Sequence, residues 1–211
     1  MAQDRLPLAL GLLVLTALLA SGIAPYDRAT WLLEVAPVLL AAPLLVATRR
    51  RFPLSTLLYV LIALHALILI LGGAHTYARV PLGFWLQELL HLSRNPYDKI
   101  GHVMQGLVPA LVTREILLRR GYLSSRRMTG FLSVCVAMTI SAVYELIEWG
   151  VALAAGGGAT DFLGTQGDPW DTQSDMFYAL IGAALAVTWL VRWHDRQINK
   201  LQAPGLPKST A

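Results

Sequence analysis

Asp98 and His102 stand four residues apart, and Asp171 and Asp175 repeat that spacing, so on a helix each pair shares one face. Glu145 and Glu148 are three apart, as are Glu88 and His91. Helix bundles hold carboxylate-bridged metals with inward Glu residues and Glu-x-x-His motifs of this kind. Mixed carboxylate and imidazole donors suit zinc, manganese or iron, whereas carboxylates alone suit magnesium or calcium. The spacing therefore predicts a divalent ion (zinc, manganese, iron or magnesium) held by His102, Glu145, Glu148, Asp171 and Asp175. His91 and Asp98 are the expected catalytic acid/base or supporting groups. Such an ion would polarise a phosphoryl or carbonyl oxygen and activate water.

Each acid also has a structural reading. Asp98, Asp168 and Asp171 suit helix N-caps, and Thr172-Gln173-Ser174-Asp175 reads as a capping box. Glu88 suits the wet face of a short amphipathic helix over Leu82–Leu92. Glu145 and Glu148 resist this treatment, because they fall at the end of an apolar run, where the helix dipole is negative. A carboxylate at the centre of a membrane helix costs roughly 2.5–3.5 kcal/mol, and less near its end. The pair needs a metal, a retained proton, a histidine or a basic partner such as Arg79, Arg94 or Lys99.

The elements that position these groups are membrane helices. The 211 residues are 55% hydrophobic and 14% charged, with mean hydropathy +0.55. Soluble domains carry about 25% charged residues, so a water-soluble enzyme is excluded, as are disordered and collagen-like chains. A single cysteine, Cys135, excludes an internal disulfide. The chain has no Cys/His zinc pattern, Walker loop or dinucleotide fingerprint. Six apolar segments are each near the roughly 20 residues a span requires: Leu6–Ala24, Thr30–Thr48, Leu54–Leu71, Gly101–Leu118, Met128–Trp149 and Asp175–Arg192. None alternates with period two, so all are read as helices, the second kinked by Pro37 and Pro43. The expected fold is an all-α, polytopic membrane helix bundle: residues 1–200 form one integral-membrane domain and 201–211 a disordered cytoplasmic tail.

Basic residues set the orientation. Arg5, Arg49, Arg50, Arg51, Arg119, Arg120, Arg126, Arg127, Arg192, Arg196, Lys200 and Lys208 fall on one side, against Arg28, Arg79, Arg94 and Lys99 on the other. Both termini are then cytoplasmic, and the paired acids and His102 gather at one outward level. The net charge of +4 reflects these anchors rather than a nucleic-acid partner. The first segment, followed by Ala20-Ser21-Gly22, has a second reading as a signal peptide. Asp4 and Arg5 leave its leading end without excess charge, which favours a retained span. Gly156-Gly157-Gly158 would let the loop before the last span act as a lid.

Several motifs in order resemble the YjdF-type bacterial inner-membrane proteins. They are Tyr77-Ala78-Arg79-Val80-Pro81-Leu82-Gly83, Asn95-Pro96-Tyr97-Asp98-Lys99-Ile100-Gly101-His102, Tyr144-Glu145-Leu146-Ile147-Glu148-Trp149 and the stretch Gly164 to Met176. The resemblance spans about Leu54 to Arg192 and implies a multi-pass protein of the bacterial cytoplasmic (inner) membrane, without an activity to carry over. A wider similarity links Asp98-Lys99-Ile100-Gly101-His102, Glu145/Glu148 and Asp171/Asp175 to VanZ-like membrane proteins, associated with glycopeptide resistance. It implies a shared outward polar site, although the asparagine usual before the final glycine is absent. The leading expectation is a metal-dependent site acting on a lipid or envelope intermediate, with membrane lipids as partners. The alternatives are a non-catalytic ligand-binding or envelope-resistance protein and, ranked below it, a transporter. The cytoplasmic half offers transport little beyond Arg114, Glu115 and the mid-span His65.

Overall fold

The computed structural model describes residues 2–154 and 165–202. Among these residues all regular structure is helical: α1 Ala2–Ser21, α2 Arg28–Thr48, α3 Thr56–His75, α4 Pro81–Leu89, α5 Tyr97–Arg119, α6 Arg126–Ala154, α7 Asp171–Thr188 and α8 Val191–Gln202. A single 3-10 turn, Tyr77–Arg79, joins α3 to α4. Each of the six expected apolar segments overlaps a helix, the first running past the end of α1 and the sixth across the break after α7. Pro37 and Pro43 leave α2 one continuous helix. Three helices, α2, α3 and α6, are each long and apolar enough to cross a membrane. The α7–α8 pair meets the same test jointly and bends by 57° at the break.

The expected sixth span ran on to Arg192, but α7 stops at Thr188 and the chain turns into α8. α8 is amphipathic, and buried His194 and Ile198 seat it on the end of the bundle. The expected disordered tail began at 201; Leu201 and Gln202 complete α8, and residues 203–211 lie outside the described residues. The predicted glycine lid at 156–158 lies outside them too.

α5 is the central helix and packs against α3, α6 and α7. Its seam with α7 is a backbone-to-backbone approach: a Cβ on Gly106 would lie 1.8 Å from the Ala179 carbonyl oxygen, and one on Gly182 would lie 1.9 Å from that of Val103. Around this seam Leu57, Leu58, Met104, Leu107, Leu111, Ala137, Ala183 and Ala186 form the main core. A second cluster, Val35, Val38, Ala66 and Ile70, fastens α2 to α3. Leu12, Leu40, Leu44 and Val46 project from the exterior, an apolar surface suited to lipid.

Polar side chains collect at the two ends of α5. At its C-terminal end His194 donates from Nε2 to Glu115 (2.9 Å), and Arg114 donates to His194 Nδ1 (3.2 Å). Arg114 also pairs with Asp195 at 2.6 Å, and Arg119 and the Ser55 amide complete the shell of Glu115. The N-terminal end of α5 carries the acids and His102.

Candidate functional site

Asn95 fixes the entry to α5. Its Oδ1 accepts from the Tyr97 amide (3.0 Å), and its Nδ2 donates to the Ala78 and Val80 carbonyls (3.1 Å each). Gly83 makes room for it, since a Cβ there would fall 1.7 Å from Asn95 Oδ1. Gln166 exchanges two hydrogen bonds with the Asn95 backbone and so draws the segment before α7 alongside. Arg94 completes the tie: it donates to the Thr165 carbonyl (2.8 Å) and pairs with Asp171 (2.7 Å) and Asp168 (3.2 Å). Burial works against its guanidinium, yet Asp171 and the neighbouring aspartates win, and Arg94 is held more firmly charged than usual.

In the first turn of α5, Lys99 Nζ lies 2.9 Å from Asp171 Oδ1, 2.5 Å from Asp175 Oδ1 and 3.7 Å from Asp98 Oδ2. His102 follows. Its Nδ1 donates to Gln105 Oε1 at 2.9 Å. Because that oxygen only accepts, the hydrogen bond places the proton on Nδ1 and turns Nε2 toward the acids. Nε2 lies 3.4 Å from Asp98 Oδ1 and 3.6 Å from Asp175 Oδ1. Donors around a tetrahedral ion with bonds of about 2.1 Å are separated by about 3.4 Å, so both distances fit a coordination edge. Asp98, His102 and Asp175 form the group of the described residues with metal-binding geometry, their donor atoms within 4.8 Å of one another.

Glu145 adjoins this group, with Oε1 3.9 Å from His102 Nδ1. It is 5% exposed, and Oε1 has no hydrogen-bond partner among the described residues. Beside it a cavity of about 340 Å³ opens between α2, α3, α5 and α6, with Glu34, Tyr77, Asp98, His102, Tyr144 and Glu148 at its polar end. Tyr144 bridges the cavity by donating to Glu34 Oε2 at 3.4 Å.

The expected ligands thus fall into three settings. His102 and Asp175 face one another and are joined by Asp98, which the sequence assigned to acid/base work. Glu145 adjoins them, while Glu148 turns into the cavity. Asp171 is committed to Lys99 and Arg94. His91 and Glu88 are exposed on α4 and the turn after it, and neither lines the cavity.

The capping readings need correction. The caps of α5 and α7 fall on Pro96 and Trp170, without a side-chain cap bond. The carboxylates of Asp98 and Asp175 turn instead to His102 and Lys99. Asp168 accepts from the Trp170 amide (2.9 Å) just before α7. Nor do Arg94 and Lys99 staple the two glutamates, because the aspartates hold both cations; Arg79 stacks on Tyr26 instead.

Glu34, Gln105 and Tyr144 were missed. Glu34 had a readable signal, since a lone acid inside an apolar run is functional by default. Gln105 had none beyond its place one turn from His102.

The sequence matches the family described as Predicted membrane protein (DUF2238) over residues 6–196. It is 59% identical over 203 residues to Inner membrane protein YjdF of Escherichia coli (strain K12), covering 95% of this chain and 97% of that protein. No solved structure matches it.

Proposed function

The chain belongs to this family of predicted membrane proteins and, like its relative, is an inner-membrane protein; on that premise we propose that its acidic end is an outward-facing, divalent-cation-dependent site acting on the polar head of a lipid or envelope intermediate. In this reading the chain crosses the membrane six times, through α1, α2, α3, α5, α6 and α7, with α8 at the basic end and both termini cytoplasmic. Asp98, His102 and Asp175 hold the ion and Glu145 supplies a further oxygen. Its chemistry would be to polarise a phosphoryl or carbonyl oxygen and activate water. His91 stays outside the proposed site.

The observation that carries the reading is the aim of His102: Gln105 occupies Nδ1, and Nε2 faces two carboxylates at coordination-edge separations. Charge balance supports it. Glu34, Asp98, Glu145, Glu148, Asp168, Asp171 and Asp175 gather around two permanent cations, Arg94 and Lys99, and those two are bound by aspartates. Buried acids in such excess call for protons or an added cation. Elemental analysis of the purified protein should find about one ion per chain, and His102→Ala or Asp175→Asn should weaken its binding by at least about tenfold. Turnover of labelled envelope lipids should vanish with the ion. A wild-type protein that binds none of zinc, manganese, iron or magnesium would end the proposal.

One observation favours the non-catalytic alternative: Lys99 Nζ already lies 2.5 Å from Asp175, as an internal cation would. A folded protein that holds no ion at this cluster and turns over no lipid is its signature. Transport has less behind it, because between its polar ends α5 buries Leu107, Val108, Ala110 and Leu111.

A further inference from the structure

The geometry points to a second feature of this site: the cavity takes up one membrane lipid with a primary-amine head, which enters sideways from the bilayer between α2 and α6. This inference rests on the outward orientation proposed above but does not need the metal.

Three observations carry it. The first is charge. The carboxyl groups of Glu34, Asp98 and Glu148 line the polar end beside the His102 imidazole, and among the described residues no lysine or arginine lines the cavity. An amine complements that lining, whereas an uncompensated anionic head is repelled by it. The second is shape. Below the acids the walls are apolar, including Leu45, Ile62, Val108 and Val112. Leu44 of α2 and Ile140 of α6, also on the lining, are 63% and 42% exposed on the lateral surface. α2 packs on α3 and α6 packs on α5 and α7, so the mouth lies where these two helices face each other. Glu34 and Leu44 are ten residues apart on α2, a rise of about 15 Å, half the roughly 30 Å hydrocarbon core and so the depth of one leaflet.

The third is His65. It lines the cavity one turn from Ile62, and its buried Nε2 has no hydrogen-bond partner among the described residues. A lone imidazole between acidic head site and apolar walls suits the ester oxygens that join a lipid head to its chains. Buried polar groups lacking partners inside the protein find them in water or ligand. The cavity's volume is at the lower end of the 300–1,000 Å³ usual for small-molecule sites, enough for a head and part of one chain.

The test is native mass spectrometry of the detergent-solubilised full chain, titrated with phosphatidylethanolamine and, separately, with phosphatidylglycerol of identical acyl chains. Wild type should retain the ethanolamine lipid at least about tenfold better, the size of a charge-assisted hydrogen bond. Glu34→Gln combined with Glu148→Gln, isosteric changes, should erase the preference. Leu44→Trp, at the lipid-facing mouth, should reduce retention of both lipids. Asp175→Asn, at a proposed metal ligand that does not line the cavity, should keep the preference while losing the metal, so the two proposals fail separately. Equal retention of both lipids by the wild type overturns the inference, as does a preference that survives in the double Gln variant. Free ethanolamine competing as well as the whole lipid would overturn it too.

Discussion

Gln105 hydrogen-bonds to His102 and to none of the acids among the described residues, yet it decides what His102 can do. Its amide oxygen takes the Nδ1 proton and leaves Nε2 for the cluster. Removing such an orienting partner lowers metal affinity by about 10–100-fold in known sites. Gln105→Leu should therefore cut affinity in that range with thermal stability little changed, read by metal titration; unchanged affinity would show that the hydrogen bond orients nothing. Asp27 offers a contrasting case outside the spans. Its carboxylate accepts from the Thr30 amide at 2.7 Å, and that bond, made to the ionised form, holds the carboxyl below its ordinary value. The stabilisation is complete above the unfolded value of about 3.9 and is lost as pH falls through the lower folded value. Asp27→Ala should cost about 1 kcal/mol at neutral pH and progressively less below about pH 4, measured by thermal unfolding in detergent. The residues also show what a sequence makes legible. Glu145 and Glu148 were conspicuous because helix electrostatics disfavours them where they stand. The commitment of Asp171 to Lys99 and Arg94 was not, because that pairing depends on how α5 and α7 are set against each other.

That setting is an element-scale property and rests on two glycines. A methyl on Gly106 or Gly182 would fall under 2 Å from a backbone oxygen of the partner helix, which cannot swing aside as a side chain can. Gly106→Ala or Gly182→Ala should force α5 and α7 apart and destabilise by at least about 3 kcal/mol, the upper end for overpacking. Metal binding should fall too, since α7 brings Asp175 to His102. Gly130→Ala is the control. There a Cβ meets Val187 at an ordinary 3.9 Å, and the helix gains up to about 1 kcal/mol in propensity. Thermal melting of the three variants separates the two cases; equal shifts would sink the argument. At the other end of α5, His194 and Glu115 are both fully buried and hydrogen-bonded at 2.9 Å. His194→Ala leaves Glu115 without its imidazole and should cost about 3–5 kcal/mol, as broken buried pairs do. α8 escaped the sequence reading for a physical reason: its anchor is a partner some 80 residues away, which local hydropathy cannot register. α5 shows the converse. Its acids, Lys99, His102 and Arg114 lower its apolar average, yet most are buried against neighbouring helices.

At the scale of the whole molecule, the helical character of the apolar segments was legible, α2, α3 and α6 and the bent α7–α8 pair being long and apolar enough to cross a membrane, and charge separates along the bundle. The Arg49–Arg51, Arg119–Arg120, Arg126–Arg127 and Arg192–Lys200 groups fall at the C-terminal ends of α2 and α5, at the start of α6 and on α8. The acids and His102 fall at the opposite end. Cytoplasmic loops collect arginine and lysine, so the proposed orientation sends the basic end inward. Two exposed serines on opposite ends can decide this: Ser93, between α4 and α5, and Ser124, between α5 and α6. In a Cys135→Ser background, a membrane-impermeant maleimide added to spheroplasts with an intact inner membrane should label Ser93→Cys at once. Ser124→Cys should react only after the membrane is broken. The reverse pattern would turn the acidic end to the cytoplasm. The outward chemistry and an outer-leaflet lipid would then both fail, while the cluster of His102 with Asp98 and Asp175 would keep its metal-binding geometry. Orientation and metal binding are therefore separate claims, and the maleimide result bears on the first alone.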